Sequence, residues 1–331
     1  MNSITRRMLL ACAVSVGVAG FVPASLAQEK VTLRMSTPAS ETDQRSVALA
    51  EVFAPEVADF ATYEPHYNGS LIAQGSELES IASGDLEMSC QELATFFPEF
   101  SIFATGYVHQ NAAHQVAVFN DPLMDPFKQK VEDELGVKLL SVMYLGRRNV
   151  NLRQSKEEMT VMTPADLAGV NLRMPGSDAW QFLGKALGAN PTPMSFTEIY
   201  TALSTGSVDG QDNPLPTVVD AKFYEVTKQI VLISHLVDLN YVAFSKAVWD
   251  KLTPEQQATV QKAADDAAES GRQAQLKKEE DLVSFLREKG MDIYEPDLNA
   301  FRTHVQAQYV GSEFAKSWPE GVLEKINALG N

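Results

Sequence analysis

The chain has 331 residues, of which 45% are hydrophobic, and its formal net charge at neutral pH is −16. This length exceeds that of a typical single hydrophobic core, so two lobes are expected. The acidic balance argues against binding nucleic acid through a basic surface, and it means that a bound anion would need cations supplied locally.

The first 27 residues have the pattern of a secretory signal peptide: a basic pair, Arg6-Arg7, an apolar run, and small residues up to position 27, after which we expect cleavage. Both the general and the twin-arginine export routes fit this segment. Cleavage would leave Cys90 as the only cysteine, so no disulfide could form within the mature chain. No later apolar run reaches about 20 residues, so the mature chain is not predicted to span a membrane.

The next part of the chain alternates strand and helix signals. Val31–Ser36 alternates apolar and polar residues, as a half-buried strand does. A helix is predicted from about Asp43 to about Phe60, and Ser76–Glu79 is a helix start of the capping-box type. Alternation through Leu86–Cys90 predicts a strand, with Glu92 just beyond its end. Strand, helix and strand with short connections are typical of an α/β lobe.

The middle of the chain begins with two apolar runs, Val116–Phe119 and Leu139–Leu145, that predict further strands. The second run leads into Gly146-Arg147-Arg148-Asn149. Thr163–Asp166 then predicts a helix start with proline at its favoured first position.

The most informative segment runs from Gly169 to Thr217. Val170–Met174 alternates like a strand, with Arg173 on the face opposite its apolar residues. A helix pattern follows, and the capping box Ser195–Glu198 starts another helix. Val208–Pro214 is a short strand or turn rich in amides and carboxylates. An arginine and a polar turn therefore lie at element ends, where a rigid scaffold positions binding residues.

The last third predicts two strands and a long helix. Ile230–Val237 and Tyr241–Phe244 are strand patterns separated by a break at residues 238–240. A single helix is predicted from Pro254 to about Lys289, started by the capping box Thr253–Gln256. A helix of this length without a coiled-coil repeat indicates one that crosses both lobes.

The sequence resembles the solute-binding subunits of tripartite ATP-independent periplasmic (TRAP) transporters, the family of the C4-dicarboxylate and sialic-acid binding proteins. The resemblance extends over nearly all of the mature chain. Its motifs are Leu172–Pro175, Gly188–Pro191, Glu198–Leu203 and Val208–Pro214, together with Gly84–Glu87 and Phe96–Pro98 in the first part of the chain.

The resemblance implies an α/β fold of the two-lobed periplasmic-binding-protein type, a clamp with discontinuous lobes and a long helix spanning both. After the signal peptide at 1–27, we expect a first lobe from residues 28–145 plus about 239–278, and a second from 146–238 plus about 279–331. The implied function is capture of an organic acid in the periplasm and its delivery to a TRAP membrane permease. An ABC-type or signalling-associated binding protein is the alternative.

Arg173 is the central candidate for binding the ligand. A carboxylate is best held by a planar, permanently charged, two-pronged donor, which arginine supplies. From the residues alone, a structural salt bridge is an equal alternative. The resemblance aligns Arg173 with the arginine that clamps the ligand carboxylate in the family.

Five more candidates come from the resemblance. Arg148 aligns with a second arginine of the cleft, with neighbouring Arg147 as its rival. Asn213 matches an amide that touches the ligand, and Phe196 an aromatic residue that covers it. Glu92 and Gln74 align with polar first-lobe contacts of the sialic-acid binders. Two departures from the family are noted: Gln74 replaces a usual acid, which argues against sialic acid, and Asp212 replaces a more usual glutamate.

The chain lacks the usual catalytic signatures, with no Gly-x-Ser-x-Gly elbow, His-Glu-x-x-His motif, P-loop or dinucleotide-binding fingerprint. An enzyme is therefore not expected, and no cofactor or protein-bound metal is predicted, although some keto-acid members of the family bind their ligand with a cation. Among organic acids, sugar acids are favoured because Glu92, Gln74, Asn149 and Asn213 offer partners for hydroxyl groups. We expect a monomer.

Overall fold

The structure, a computed structural model, describes residues 30–94 and 97–330. The predicted signal peptide at 1–27 and Phe96 of the aromatic motif lie outside these residues. None of the described helices is long and apolar enough to cross a membrane.

The described strands form one mixed sheet with the order β2-β1-β3-β8-β4-β7-β5-β6, and β9 pairs with β8. The strands are β1 (Val31–Ser36), β2 (Ala61–His66), β3 (Met88–Gln91), β4 (Val137–Leu152), β5 (Asn171–Met174), β6 (Asn190–Pro193), β7 (Gly210–Pro214), β8 (Gln229–Ser245) and β9 (Asp292–Tyr294).

Helices cover the sheet. They are α1 (Gln44–Ala48), α2 (Ala54–Val57), α3 (Glu77–Ser83), α4 (Ala112–Asn120), α5 (Asp125–Leu135), α6 (Asp178–Ala186), α7 (Ile199–Thr205), α8 (Leu215–Asp220), α9 (Lys246–Trp249), α10 (Pro254–Glu288), α11 (Leu298–Tyr309), α12 (Glu313–Ser317) and α13 (Val322–Leu329). A π-helical turn joins α1 to α2, and short 3-10 turns include Pro98–Ala104, Pro122–Met124, Pro164–Leu167, Phe196–Glu198 and Phe223–Glu225.

Two long antiparallel strands, β4 and β8, connect the two halves of the sheet. Residues 241–244 of β8 pair with β3, whereas residues 229–231 pair with β9. Residues 148–152 of β4 pair with β7. The β4–β8 register shifts between Tyr144 and Gly146 and again between Arg148 and Val150. Gly146 has a φ of 117°, and a Cβ there would lie 2.7 Å from the Pro214 Cβ, so this crossing requires glycine.

Separate hydrophobic cores lie on the two sides of this crossing. One joins Leu33, Phe53 and Met88 to the small residues of α10, including Ala263 and Ala267. Another joins Ile199, Leu203 and Phe223 to the far end of α10 through Leu286. The long helix therefore packs on both halves of the molecule, as predicted.

Local signals predicted several elements correctly. The helix from Pro254 is capped by Thr253, whose hydroxyl accepts from the Gln256 N–H, and Ser195 with Glu198 forms the expected capping box. By contrast, Ser76 makes no capping hydrogen bond through its side chain.

Two strand predictions were wrong. Residues 116–119 belong to helix α4, whose N-cap is Asn111; the Asn111 side chain accepts from the His114 N–H. A short apolar run has the same appearance in a buried helix and in a buried strand. The predicted break at residues 238–240 does not exist, since β8 runs from Gln229 to Ser245. Asp238 and Asn240 are buried polar residues within that strand, so their polarity reflects side-chain partners and not a turn.

Candidate functional site

A cleft of about 470 Å³ lies between the two halves of the sheet, and all six predicted site residues line it: Gln74, Glu92, Arg148, Arg173, Phe196 and Asn213. One side, here called the first wall, consists of residues around α1, α3 and β3: Pro38, Arg45, Gln74, Gly75, Glu77, Cys90, Gln91 and Glu92. The opposite side, the second wall, includes Arg173, Ser177, Trp180, Met194, Phe196, Glu198 and Asn213. The long strands β4 and β8 contribute Leu145, Arg148, Asp238 and Asn240.

Arg173 is a buried cation whose protein partner is a neutral carbonyl. It lies on β5, is 1% exposed, and donates from Nε and Nη2 to the Met194 carbonyl at 2.9 and 2.7 Å. Within the described residues it forms no ion pair with a carboxylate. Burial lowers the pKa of Arg173 to about 9, and the nearby Arg148 charge adds to this effect against the opposing charges of Asp212 and Glu198.

This arrangement favours an anion. Two of the five guanidinium N–H groups of Arg173 go to Met194, so three remain for a ligand. A carboxylate placed there would neutralise a charge that burial disfavours, and would accept charge-assisted hydrogen bonds.

Arg148 has a different environment, because two carboxylates already neutralise it. Its Nε donates to Asp212 and its Nη1 to Asp238, both at 2.7 Å, and Nη2 donates to the Asp212 carboxylate and carbonyl. Its guanidinium also lies 4.5 Å from the ring centre of Trp180. Four of the five N–H groups of Arg148 are therefore bound within the protein.

Asp212 is the centre of this buried network. Its Oδ2 also lies 2.9 Å from Nε2 of His235, a residue that is fully buried. Burial by itself would raise the pKa of Asp212, but the Arg148 charge and the hydrogen bonds from His235 and Arg148 hold it well below its usual range. The network orders the cleft face of β4, β7 and β8 and leaves Arg173 as the cation without a carboxylate partner among the described arginines that line the cleft.

Arg147, the rival of Arg148, is not among the residues that line the cleft. Its Nη2 donates to the Gln110 carbonyl at 2.9 Å, and its backbone N–H donates to Glu279 of α10. The alternation of β4 explains this, because neighbouring residues point to opposite faces of a strand.

The remaining predicted residues differ in how far their polar groups are engaged. Asn213 Nδ2 donates to Gln211 Oε1 at 2.5 Å. The Phe196 N–H donates to Gln74 Oε1 at 2.7 Å, which joins the first wall to the second wall. Glu92 Oε2 accepts from the Ala94 N–H at 2.6 Å. Asn149, expected to offer a hydroxyl partner, instead bonds the Arg147 carbonyl and the Ser234 N–H, so its side chain serves the fold.

The structure adds residues to the cleft that the sequence did not suggest: Arg45, Glu77, Gln91, Asp238 and Asn240. Arg45 is paired with Asp43 and donates to Asn240 Oδ1 at 2.6 Å. No local pattern marks these residues. Trp180 is buried and also lines the cleft.

Throughout residues 30–94 and 97–330, no three His, Cys, Asp or Glu side chains are grouped so that they could hold a metal ion.

The fold and the cleft are those of a two-lobed solute-binding protein, and comparison with known proteins agrees. Residues 47–316 match the family of bacterial extracellular solute-binding proteins, family 7 (DctP), and the chain belongs to this family. The predicted fold class and the predicted function as a TRAP-type solute-binding protein are both confirmed, and the alternative of an ABC-type or signalling-associated binding protein is not favoured.

Three relatives illustrate what this chain is similar to. A TRAP periplasmic solute-binding protein from Roseobacter denitrificans, solved with bound 3-deoxy-D-manno-oct-2-ulosonic acid (KDO), is 83% identical, with a TM-score of 0.90 over 91% of this chain and 100% of the other. A second protein from that organism, solved with bound L-galactonate, is 25% identical, with a TM-score of 0.82 over 92% and 100% of the two chains. The sialic acid-binding periplasmic protein of Vibrio cholerae is 30% identical over 76% of this chain and 77% of its own.

Proposed function

We propose that this protein captures KDO, or a closely similar 2-keto-3-deoxy sugar acid, in the periplasm and delivers it to a TRAP membrane permease. The observation that carries the proposal is Arg173, a buried cation of the cleft that has spare donors and no carboxylate partner among the described residues. The KDO bound to the relative that is 83% identical supports this choice of ligand.

The cleft chemistry fits such a ligand in two respects. KDO has a single carboxylate, which Arg173 can bind through two parallel N–H groups. It also has several hydroxyl groups, for which the first wall provides carboxylates and amides, including Glu92, Gln74 and Gln91. Phe196 and Trp180 supply apolar surface for the carbon skeleton.

Binding is proposed to stabilise the closed clamp. The hydrogen bond between Phe196 and Gln74 already joins the two walls, and a ligand that contacts both walls would add to it. A ligand shifts such an equilibrium by its difference in affinity between the open and closed forms. In the proposed cycle the closed, loaded form docks on the permease, and the ligand is released unchanged, without catalysis.

Isothermal titration calorimetry on the mature chain, residues 28–331, tests the ligand. The protein is first unfolded and refolded to remove any carried-over ligand, and is then titrated with KDO, N-acetylneuraminate, L-galactonate and succinate. We expect the tightest binding with KDO. Tighter binding of another acid, or no heat with KDO, would contradict the ligand assignment.

Two further measurements test the remainder of the proposal. NMR spectra of KDO recovered after prolonged incubation should be unchanged, whereas a new product would indicate an enzyme. Uptake of labelled KDO by cells that express a matching TRAP permease should require this protein. Size-exclusion chromatography should give the mass of a monomer.

A further inference from the structure

Glu77 is a buried acid of the first wall that the proposed contacts do not use. It is the first residue of helix α3, is 1% exposed and lines the cleft. An acid in the first turn of a helix is favourable because the backbone N–H groups there point towards it, but Glu77 uses only part of its hydrogen-bonding capacity in this way.

The two carboxylate oxygens of Glu77 have different environments. Oε2 accepts from the Gly75 N–H at 2.6 Å. With the Gln91 amide oriented so that its nitrogen faces Glu77, Nε2 donates to the same Oε2 at 2.6 Å, and the Gln91 oxygen accepts from the Leu78 N–H at 3.3 Å. Oε1 is buried and accepts no hydrogen bond from the described residues.

Such an oxygen is unfavourable for folding. A buried acceptor without a donor destabilises the folded state, and the cost is larger when the acceptor carries charge. Burial, aided by the nearby charge of Glu92, raises the pKa of Glu77 to about 7 despite the backbone N–H groups that lower it. An apolar side chain at this position would avoid the penalty and an amide would avoid the buried charge, so a contribution to stability does not explain Glu77.

We propose that Glu77 is a specificity-determining residue, whose Oε1 accepts a hydrogen bond from a hydroxyl group of the bound sugar acid on the side of the cleft opposite Arg173. This inference rests on the proposed function. The ligand hydroxyl would provide the donor that Oε1 lacks in the protein, and Gly75 and Gln91 would hold the carboxylate in position through Oε2.

The charges of the first wall favour a neutral donor at this position. Glu92 lies close enough to raise the pKa of Glu77, and Arg45, the cation of this wall, is already paired with Asp43. A second ligand carboxylate near Glu77 would therefore meet like charge without a free counter-charge. The site is built for an acid with one anionic end and a hydroxylated far end.

Calorimetry on matched variants tests the inference. Wild type, Glu77→Gln and the control Glu79→Gln, an exposed acid on the same helix, are each titrated with KDO. Because a hydrogen bond to a charged acceptor is replaced by a neutral one, Glu77→Gln should bind about tenfold more weakly, and the control within about twofold of wild type. Equal affinity for wild type and Glu77→Gln would overturn the proposal. Failure of the wild type to bind KDO would instead contradict the proposed function.

A crystal structure of the wild-type complex separates direct contact from an indirect effect. A ligand hydroxyl oxygen within about 3.2 Å of Glu77 Oε1 is expected. An Oε1 that faces only water or protein would overturn the proposal, even if Glu77→Gln weakened binding. Thermal melting of the free variants shows whether weaker binding reflects unfolding, and Glu77→Gln is expected to melt no lower than wild type.

Discussion

Replacing Arg173 by lysine keeps the positive charge and removes the two-pronged geometry. In wild type, Nε and Nη2 anchor the guanidinium to the Met194 carbonyl, and three N–H groups remain for the ligand. A lysine ammonium in the same place would have to divide three N–H groups between the carbonyl and the ligand, and it cannot form two parallel bonds to one carboxylate.

The structure permits an estimate of the loss. Arg173 is 1% exposed, so its bonds to a ligand carboxylate form in a desolvated site. Breaking one side of a buried charge pair costs about 2–5 kcal/mol of binding free energy. Because 1.4 kcal/mol corresponds to tenfold, we expect the Kd to rise by about 30-fold to several thousand-fold for Arg173→Met, and nearly as much for Arg173→Lys.

The assay is calorimetric titration with the tightest ligand of the panel, alongside Arg147→Lys as a matched control. The Arg147 side chain bonds the Gln110 carbonyl and does not line the cleft, so its substitution should leave the Kd within about twofold. An Arg173→Lys protein that binds within about threefold of wild type would refute the assignment of Arg173 as the carboxylate clamp.

Three more predictions concern the residues around Arg173 in the cleft. Arg148→Met should lower the free energy of unfolding by about 3–5 kcal/mol, because it leaves Asp212 and Asp238 buried without their counter-charge. An unchanged midpoint of urea denaturation would show that these ion pairs do not stabilise the fold. Glu77 binds its proton more tightly in the folded protein, with a pKa of about 7 against 4.5, so its ionisation costs stability as pH rises from about 4.5 through 7. The free energy of unfolding of Glu77→Gln, relative to that of wild type, should therefore be about 3 kcal/mol higher at pH 8 than at pH 4.5. Chemical denaturation that gives the same difference between the two proteins at both pH values would refute this. Gln74→Ala removes the hydrogen bond across the cleft, so its Kd should rise about two- to tenfold with little change in melting temperature, and an unaltered Kd would show that this bond does not stabilise the closed form.

Local sequence patterns, which involve residues close together in the chain, predicted several helix starts and the family of this protein. Thr253 and Ser195 mark helix starts because each forms a capping box with the residue three positions later in the chain. The motif around Arg173 carried the family resemblance, and the family match confirms it. The same local patterns failed at residues 116–119, where a short apolar run was too brief to distinguish helix from strand.

The tertiary structure decided which charges are available to a ligand. Arg148 and Arg173 look equivalent in the sequence, but Arg148 is neutralised by Asp212, 64 residues away, and by Asp238, 90 residues away. The environment of Glu77 likewise depends on β3 and α3 meeting at the cleft. Burial and long-range pairing determine whether a charged side chain is satisfied within the protein or retains capacity for a ligand, and no local pattern in the chain encodes that distinction.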